Sequence, residues 1–208
     1  MDIIDKSREA EHRAKLKKAK KIVIKIGTSS LMYKDAGINL RRIHKLSEII
    51  SDLMNEGMDV ILVSSGAIGV GVKMLRLPEK PKTVEGRQAV AAVGQVDLMK
   101  LYSMAFADYG YSVGQILLTK NILDNEESKN HSVNTFTELL KMRIVPIVNE
   151  NDTVAVDEIK FGDNDNLSGI VARLLGADLL IILTDIDGYY SQNPSHHYLS
   201  PKPFPHIA

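Results

Sequence analysis

Asn149 to Asn166 reads NENDTVAVDEIKFGDNDN. It holds six carboxylates (Glu150, Asp152, Asp157, Glu158, Asp163, Asp165) and four asparagines (Asn149, Asn151, Asn164, Asn166). An apolar run, Ile144 to Val148, leads into it, and an apolar helical pattern, Leu167 to Leu175, leads out. A short apolar run bounded by turn formers reads as a buried strand, and recurrence every three to four residues reads as a helix. A strand therefore delivers two clusters of oxygen and amide groups to one rim, and a helix carries the chain away. Alone, the stretch also fits a solvated hairpin loop whose Asp and Asn residues form turns and helix caps. A calcium loop does not fit. Asp163 and Asp165 match its first and third positions, but Leu167 falls at the fifth and Leu174 at the twelfth, so oxygens cannot ring a cation.

The same strand-then-helix rhythm runs through the chain. Ile22 to Ile26 reads as a central parallel strand buried on both faces, ended by Gly27-Thr28-Ser29-Ser30. Leu40 to Met54 has helical spacing behind an Asn39 cap, and Gly57 stops it. Val60 to Val63 is a second strand, followed by Ser64-Ser65-Gly66 and a small-residue helix to about Leu75. A loop marked by Pro78 and Pro81 precedes a long helix, about Val84 to Tyr109. Val113 to Leu118, Ile144 to Val148 and Leu179 to Leu183 are further strands, with a helix predicted over Val133 to Met142. Thr153 to Phe161 reads as an antiparallel, hairpin-like insertion. Strands alternating with helices call for an α/β fold with a mostly parallel sheet covered on both faces. Three segments are expected: a polar, basic helical extension over 1–21, the α/β domain over 22–190, and a tail with Pro and His residues over 191–208.

Bulk composition excludes several classes of function. With 208 residues, 44% hydrophobic and 25% charged, the chain can build a large core without staples. Lys+Arg and Asp+Glu are both 26, so no global field draws nucleic acid or an anionic membrane. The absence of cysteine removes disulfides, thiolate metal sites and a cysteine nucleophile. No apolar run approaches the ~18 residues of a membrane span, and a cytoplasmic location is expected. Residues 6–21 carry eight Lys or Arg, but no aromatic is interleaved to stack on bases, so a solvated helix is the simpler reading than a nucleic-acid arm.

In an open parallel sheet, ligands bind beyond the carboxyl ends of the strands. There this sequence places Lys25-Ile26-Gly27-Thr28-Ser29, Ser64-Ser65-Gly66-Ala67-Ile68-Gly69, the acidic stretch, and Thr184-Asp185-Ile186-Asp187-Gly188. Glycine after a strand lets N–H groups approach an anion, and the next helix N-terminus adds a favourable dipole. Each element has a bland alternative. Lys25 reads equally as a lysine snorkelling at a strand end, and Gly66, Gly69 and Gly71 as packing glycines. The spacing is not a P-loop, because Gly71 is followed by Val72, and not a dinucleotide fingerprint, because Met74 stands where a third glycine belongs. No nucleophile elbow accompanies His44 or His131. Lysine, anion-binding glycines and clustered carboxylates at one rim suit phosphoryl transfer, which relies on positioning and charge neutralisation.

VIKIGTSSL (Val23–Leu31), VSSGAIGVG (Val63–Gly71), AAVGQ (Ala91–Gln95), IVPIVNENDTVA (Ile144–Ala155), GDNDNLS (Gly162–Ser168) and LTDIDGYY (Leu183–Tyr190) together resemble the amino acid kinase family, and within it the glutamate 5-kinases. Ser64-Ser65-Gly66, where other branches carry a run of glycines, points to that branch. The resemblance implies a three-layer αβα sandwich, and transfer of the γ-phosphoryl group of ATP to the side-chain carboxylate of L-glutamate in the first step of proline biosynthesis. It implies that Lys25 touches the transferring phosphoryl group and the nucleotide, and that Asp165 orients that lysine. Gly27 and Gly66 would steady the phosphate oxygens. Ser65, Asp152 and Asn164 would hold glutamate, and Thr184 and Asp185 would meet the nucleotide. Mg2+ would arrive with ATP, a dimer or tetramer is implied, and proline feedback follows from kinship alone. The family pattern continues with a segment close to G-T-G-G-M-x-T-K that is absent here. An incomplete nucleotide half and weak activity of the 208-residue form are therefore expected. A non-catalytic amino-acid-binding or regulatory domain, or another member of the amino acid kinase family, is the alternative.

Overall fold

The computed structural model describes residues 14, 16–33, 37–154 and 163–184. Successive residues of a strand face opposite sides of a sheet, and this alternation explains the layers. Strand β1, Lys21–Ile26, sends Ile22, Ile24 and Ile26 into one core and Val23 into a second. Strand β2, Asp59–Ser64, divides in the same way, with Val60 and Leu62 on one side and Ile61 and Val63 on the other. With β3 (Val113–Leu118), β4 (Val145–Glu150) and β5 (Leu179–Leu183), they form a parallel five-stranded sheet in the order β3-β4-β2-β1-β5.

Helices cover both faces. After β1 comes a single turn, α1 (Thr28–Leu31), and then α2 (Leu40–Asn55). Asn39 caps α2 by accepting from the Arg42 N–H, and the chain leaves through Gly57 at φ 85°. After β2 come α3 (Ala67–Met74) and α4 (Val84–Ala107). Ile43, Ile50, Met54, Leu98, Tyr102 and Phe106 from these helices fill the first core. The second core receives Phe136 and Leu140 from α5 (Glu126–Lys141), and Leu167, Val171 and Leu175 from α6 (Asp163–Leu175). Phe136 is fully buried, so its truncation to alanine would cost about 3–5 kcal/mol.

Two of the boundaries that differ from the sequence pattern have a clear physical cause. Helix α5 begins at Glu126 rather than at Val133. Asn125 accepts from the Ser128 N–H, and Glu126 and Glu127 suit the positive end of the helix dipole, so the cap starts a helix before its apolar face begins. Strand β4 runs past Val148 to Asn149 and Glu150, because Leu117 and Leu118 of β3 remain opposite to pair with them. The expected insertion over Thr153 to Phe161 falls mostly outside the described residues, as do most of the basic extension and the tail. Among the described residues no helix is long and apolar enough to cross a membrane.

This topology creates a crevice. The chain leaves β1 and β2 for helices on one face, and leaves β3 and β4 for helices on the other. β2 and β4 are neighbours whose connections part in opposite directions, which opens the sheet rim between their carboxyl ends.

Candidate functional site at the carboxyl ends of β1, β2 and β4

Lys25 shares the parity of Val23, so it points to the face covered by α6. Its Nζ lies 2.5 Å from Asp165 Oδ1, and its side chain is only 9% exposed against 48% for Asp165. The ammonium is therefore paired at the rim rather than snorkelling into bulk water. Asp165 sits in the first turn of α6, where the helix dipole favours a carboxylate. Gly27 lies directly beneath the ammonium, since a Cβ there would come 3.2 Å from Lys25 Nζ.

Across the crevice, the α6 residue before Asp165 reaches the end of β2. Asn164 Nδ2 shares its two hydrogens among three acceptors, Ser64 O at 3.0 Å, Ser65 Oγ at 2.7 Å and Asn149 Oδ1 at 3.0 Å. Asn149 Nδ2 donates in turn to Gln95 Oε1 on α4 at 2.8 Å. Ser64 Oγ is 2.8 Å from the Tyr102 hydroxyl, and burial pushes that hydroxyl well above its ordinary pKa while the Ser64 bond acts in the opposite sense. Asn164 Oδ1 and Gln95 Nε2 are buried and have no hydrogen-bond partner among the described residues. Buried polar atoms are seldom left so, and an orphan at a concave rim is what an absent ligand would satisfy.

The backbone turn here depends on two glycine features. Gly66 caps α3 with φ 108°, a conformation that a side chain would strain. Gly71 and Gly94 instead let α3 and α4 touch backbone to backbone: a Cβ on Gly94 would overlap the Ala67 carbonyl oxygen, and one on Gly71 the Val90 carbonyl oxygen. So Gly71 belongs to packing, and Gly94 sets the depth at which its neighbour Gln95 enters the crevice.

Further along the rim, half-buried Asp152 follows β4. Its charge reaches Lys80, whose pKa is pulled down by burial and by Arg87 while Asp152 opposes the shift. Thr184 is exposed one residue beyond Leu183, which pairs with Ile26, so it stands beside Gly27 at the end of the neighbouring strand. Among the described residues no group of three His, Asp or Glu side chains is arranged to hold a metal ion.

A lysine, two backbone turns and an amide cluster stand together at this rim. The family model described as "Amino acid kinase family" matches residues 20–207. The chain belongs to the amino acid kinase family.

Among its relatives, the glutamate 5-kinase of Clostridium perfringens (strain 13 / Type A) is 56% identical over 186 residues, covering 88% of this chain and 69% of that protein. Glutamate 5-kinases of Enterococcus faecalis (strain ATCC 700802 / V583) and Listeria innocua serovar 6a are 54% and 57% identical, each over 88% of this chain and over 69% and 68% of their own lengths. Two solved structures share the fold. An isopentenyl phosphate kinase of T. acidophilum, in its product complex, superposes with a TM-score of 0.55 at 18% identity, covering 85% of this chain and 75% of its own. An isopentenyl phosphate kinase substrate complex gives 0.58 at 17%, covering 84% and 73%.

In this amino acid kinase the fold brings Lys25 to Asp165 and Ser65 to Asn164, with Gly27 and Gly66 at the turns between them. Asp152 and Thr184 lie on the same rim, and Asp185 lies outside the described residues. Reading the sequence for site residues passed over Asn149, Gln95, Ser64 and Tyr102. The available signal was Asn149 itself, a polar residue at the end of a doubly buried strand, and Gln95 next to a glycine within AAVGQ. Lys80 and Arg87 carried no spacing signal, because a loop and a helix start supply them separately.

Proposed function

We infer that this amino acid kinase is an ATP-dependent glutamate 5-kinase, moving the γ-phosphoryl group of ATP to the side-chain carboxylate of L-glutamate. The bond formed is from a glutamate carboxylate oxygen to phosphorus, and the bond broken joins the γ-phosphorus to the bridging oxygen that departs on ADP. The observation that carries this reading is buried Lys25, paired with half-exposed Asp165, facing the Ser65–Asn164 pair across one crevice. The first supplies a held cation for a phosphoryl group, and the second supplies short polar groups for an amino acid. High identity to three enzymes named glutamate 5-kinase supports the choice of substrate.

In this reading Lys25 neutralises charge on the γ-phosphoryl oxygens, and Asp165 keeps the ammonium aimed. N–H groups at the Gly27 and Gly66 turns donate to phosphate oxygens. Ser65, Asn164 and Asp152 hold glutamate, with Asp152 suited to its ammonium group, while Thr184 and Asp185 meet the nucleotide. Mg2+ bound by the nucleotide would neutralise the β- and γ-oxygens. Assembly as a dimer or tetramer, a cytoplasmic location and a kinase domain over 22–190 belong to the same proposal.

The test is ADP release from ATP with L-glutamate, L-aspartate or N-acetyl-L-glutamate as acceptor, run beside calorimetric titration of each. Release with glutamate alone is expected. Equal turnover of all three acceptors would reject the substrate assignment. Heat from glutamate with none from ATP would make the chain a non-catalytic amino-acid-binding domain.

A further inference from the structure

The amides of Asn149 and Asn164 cannot take either orientation freely. Asn149 Oδ1 accepts from the Glu150 backbone N–H at 2.9 Å, so its Nδ2 must turn to Gln95 Oε1. Asn164 faces the Ser64 backbone carbonyl and Asn149 Oδ1, which are both acceptors, so it must present Nδ2 to them. Two backbone groups that cannot rotate thus set the polarity of the whole chain of side chains. Two consequences follow. The Asn164 amide hydrogens are committed within the protein, and its remaining atom, the buried Oδ1, is an acceptor with no partner among the described residues. Ser65 Oγ already accepts from Asn164, so its own O–H proton is directed elsewhere, as a donor.

We propose that Gln95 and Asn149 form a positioning relay that fixes Asn164 as an acceptor for the ammonium group of an amino-acid substrate and Ser65 as a donor for a carboxylate. The proposal rests on the reading of the site as one for L-glutamate, and it reverses the simplest role for Asn164, that of a donor to a substrate carboxylate. Both relay residues act through Asn164: Gln95 Oε1 accepts from Asn149 Nδ2, and Asn149 Oδ1 accepts from Asn164 Nδ2.

The probes that separate this role from plain structural support are L-glutamate and glutarate, which differ by the ammonium group. Calorimetry on the full chain reads the ratio of their affinities. Asn149→Leu removes the acceptor that holds Asn164, and the expected result is a loss of glutamate affinity of about 10-fold, with glutarate changed by less than about 2-fold. Asn149→Asp keeps an acceptor for Glu150 N–H and for Asn164, and Gln95 can turn its idle Nε2 to the new carboxylate. It should retain the wild-type ratio even if added negative charge weakens both ligands. Should Asn149→Leu fail to fold, Gln95→Leu breaks the relay from a half-buried helical position and is read by the same ratio. A folded variant in which both ligands weaken equally overturns the relay. If the unaltered chain binds neither ligand, it is the glutamate reading that fails.

Discussion

Lys25 Nζ and Asp165 Oδ1 are 2.5 Å apart although their residues come from the first strand of the sheet and the last helix described. The lysine is nearly enclosed while the carboxylate is about half in water. The pair therefore keeps a cation at a rim where water is scarce without burying two charges together. A buried ammonium loses more by being left alone than the pair gains by forming, so Asp165 fixes where the charge stands.

Lys25→Ala should leave the fold intact and lower kcat by a factor of about 10^2 or more, the usual cost of losing a contact to transition-state charge. Asp165→Asn should also lower kcat, and it should lower stability, because it leaves the nearly enclosed Lys25 ammonium without its carboxylate. Steady-state rates beside thermal melts separate the two effects. An unchanged kcat for Lys25→Ala would reduce the lysine to a structural role.

Asp152→Ala should mainly raise the KM for L-glutamate, by about 10-fold, with kcat nearly constant, as expected when a ground-state contact is lost. Initial rates over a matrix of glutamate and ATP concentrations check this. A change confined to the KM for ATP would place Asp152 on the nucleotide side.

Gly94→Ala should destabilise by about 1–3 kcal/mol, because the new methyl group overlaps the Ala67 carbonyl oxygen and forces α3 and α4 apart. Gly169→Ala on α6 is the control. A Cβ there meets no described residue within 4 Å, so the change should be neutral or stabilising by about 0.5–1 kcal/mol through helix propensity alone. Urea unfolding of both variants decides it, and equal effects would remove the packing account of AAVGQ.

Asp178 Oδ2 accepts from the backbone N–H groups of Lys20 and Lys21 at 2.8 Å each, tying the start of β5 to the start of β1. The Lys21 bond first, then the Lys20 bond, hold its pKa below the ordinary 3.8. For a carboxylate with a lowered folded pKa, the stabilisation is fully present above the unfolded value and disappears as pH falls through the folded one. Asp178→Asn should therefore melt lower than the parent at neutral pH, and the gap should close as pH falls through the lowered pKa of Asp178. Melting temperatures from pH 2 to 7 test this, and a gap independent of pH would contradict it.

Helix and strand positions were legible wherever one physical signal acted alone. Short, β-branched apolar runs such as Val60 to Val63, closed by Ser64-Ser65-Gly66, read as buried strands, and Asn39 before Leu40 marks a helix start. The misplaced start of α5 shows the limit. Glu126 to Ser132 lacks an apolar face, and only the Asn125 cap together with the acidic first turn makes it helical.

The sequence by itself determined which residues are chemically able to serve the site, because lysine, glycine turns and clustered amides at strand ends are local features of β1, β2, β4 and β5. It also determined the parallel sheet, since runs apolar on both faces need helices on both sides. Tertiary structure alone decided the pairings. Lys25 meets Asp165, and Asn164 meets Ser64 and Ser65 across about a hundred residues of chain, only because α6 packs over β1 and β2 at a particular depth. It also decided direction. Asn149 and Asn164 are amides with a donor and an acceptor each, and nothing in their order along the chain says which end faces the crevice. The Glu150 N–H and the Ser64 carbonyl settle that, as backbone groups whose orientation the folded sheet alone dictates.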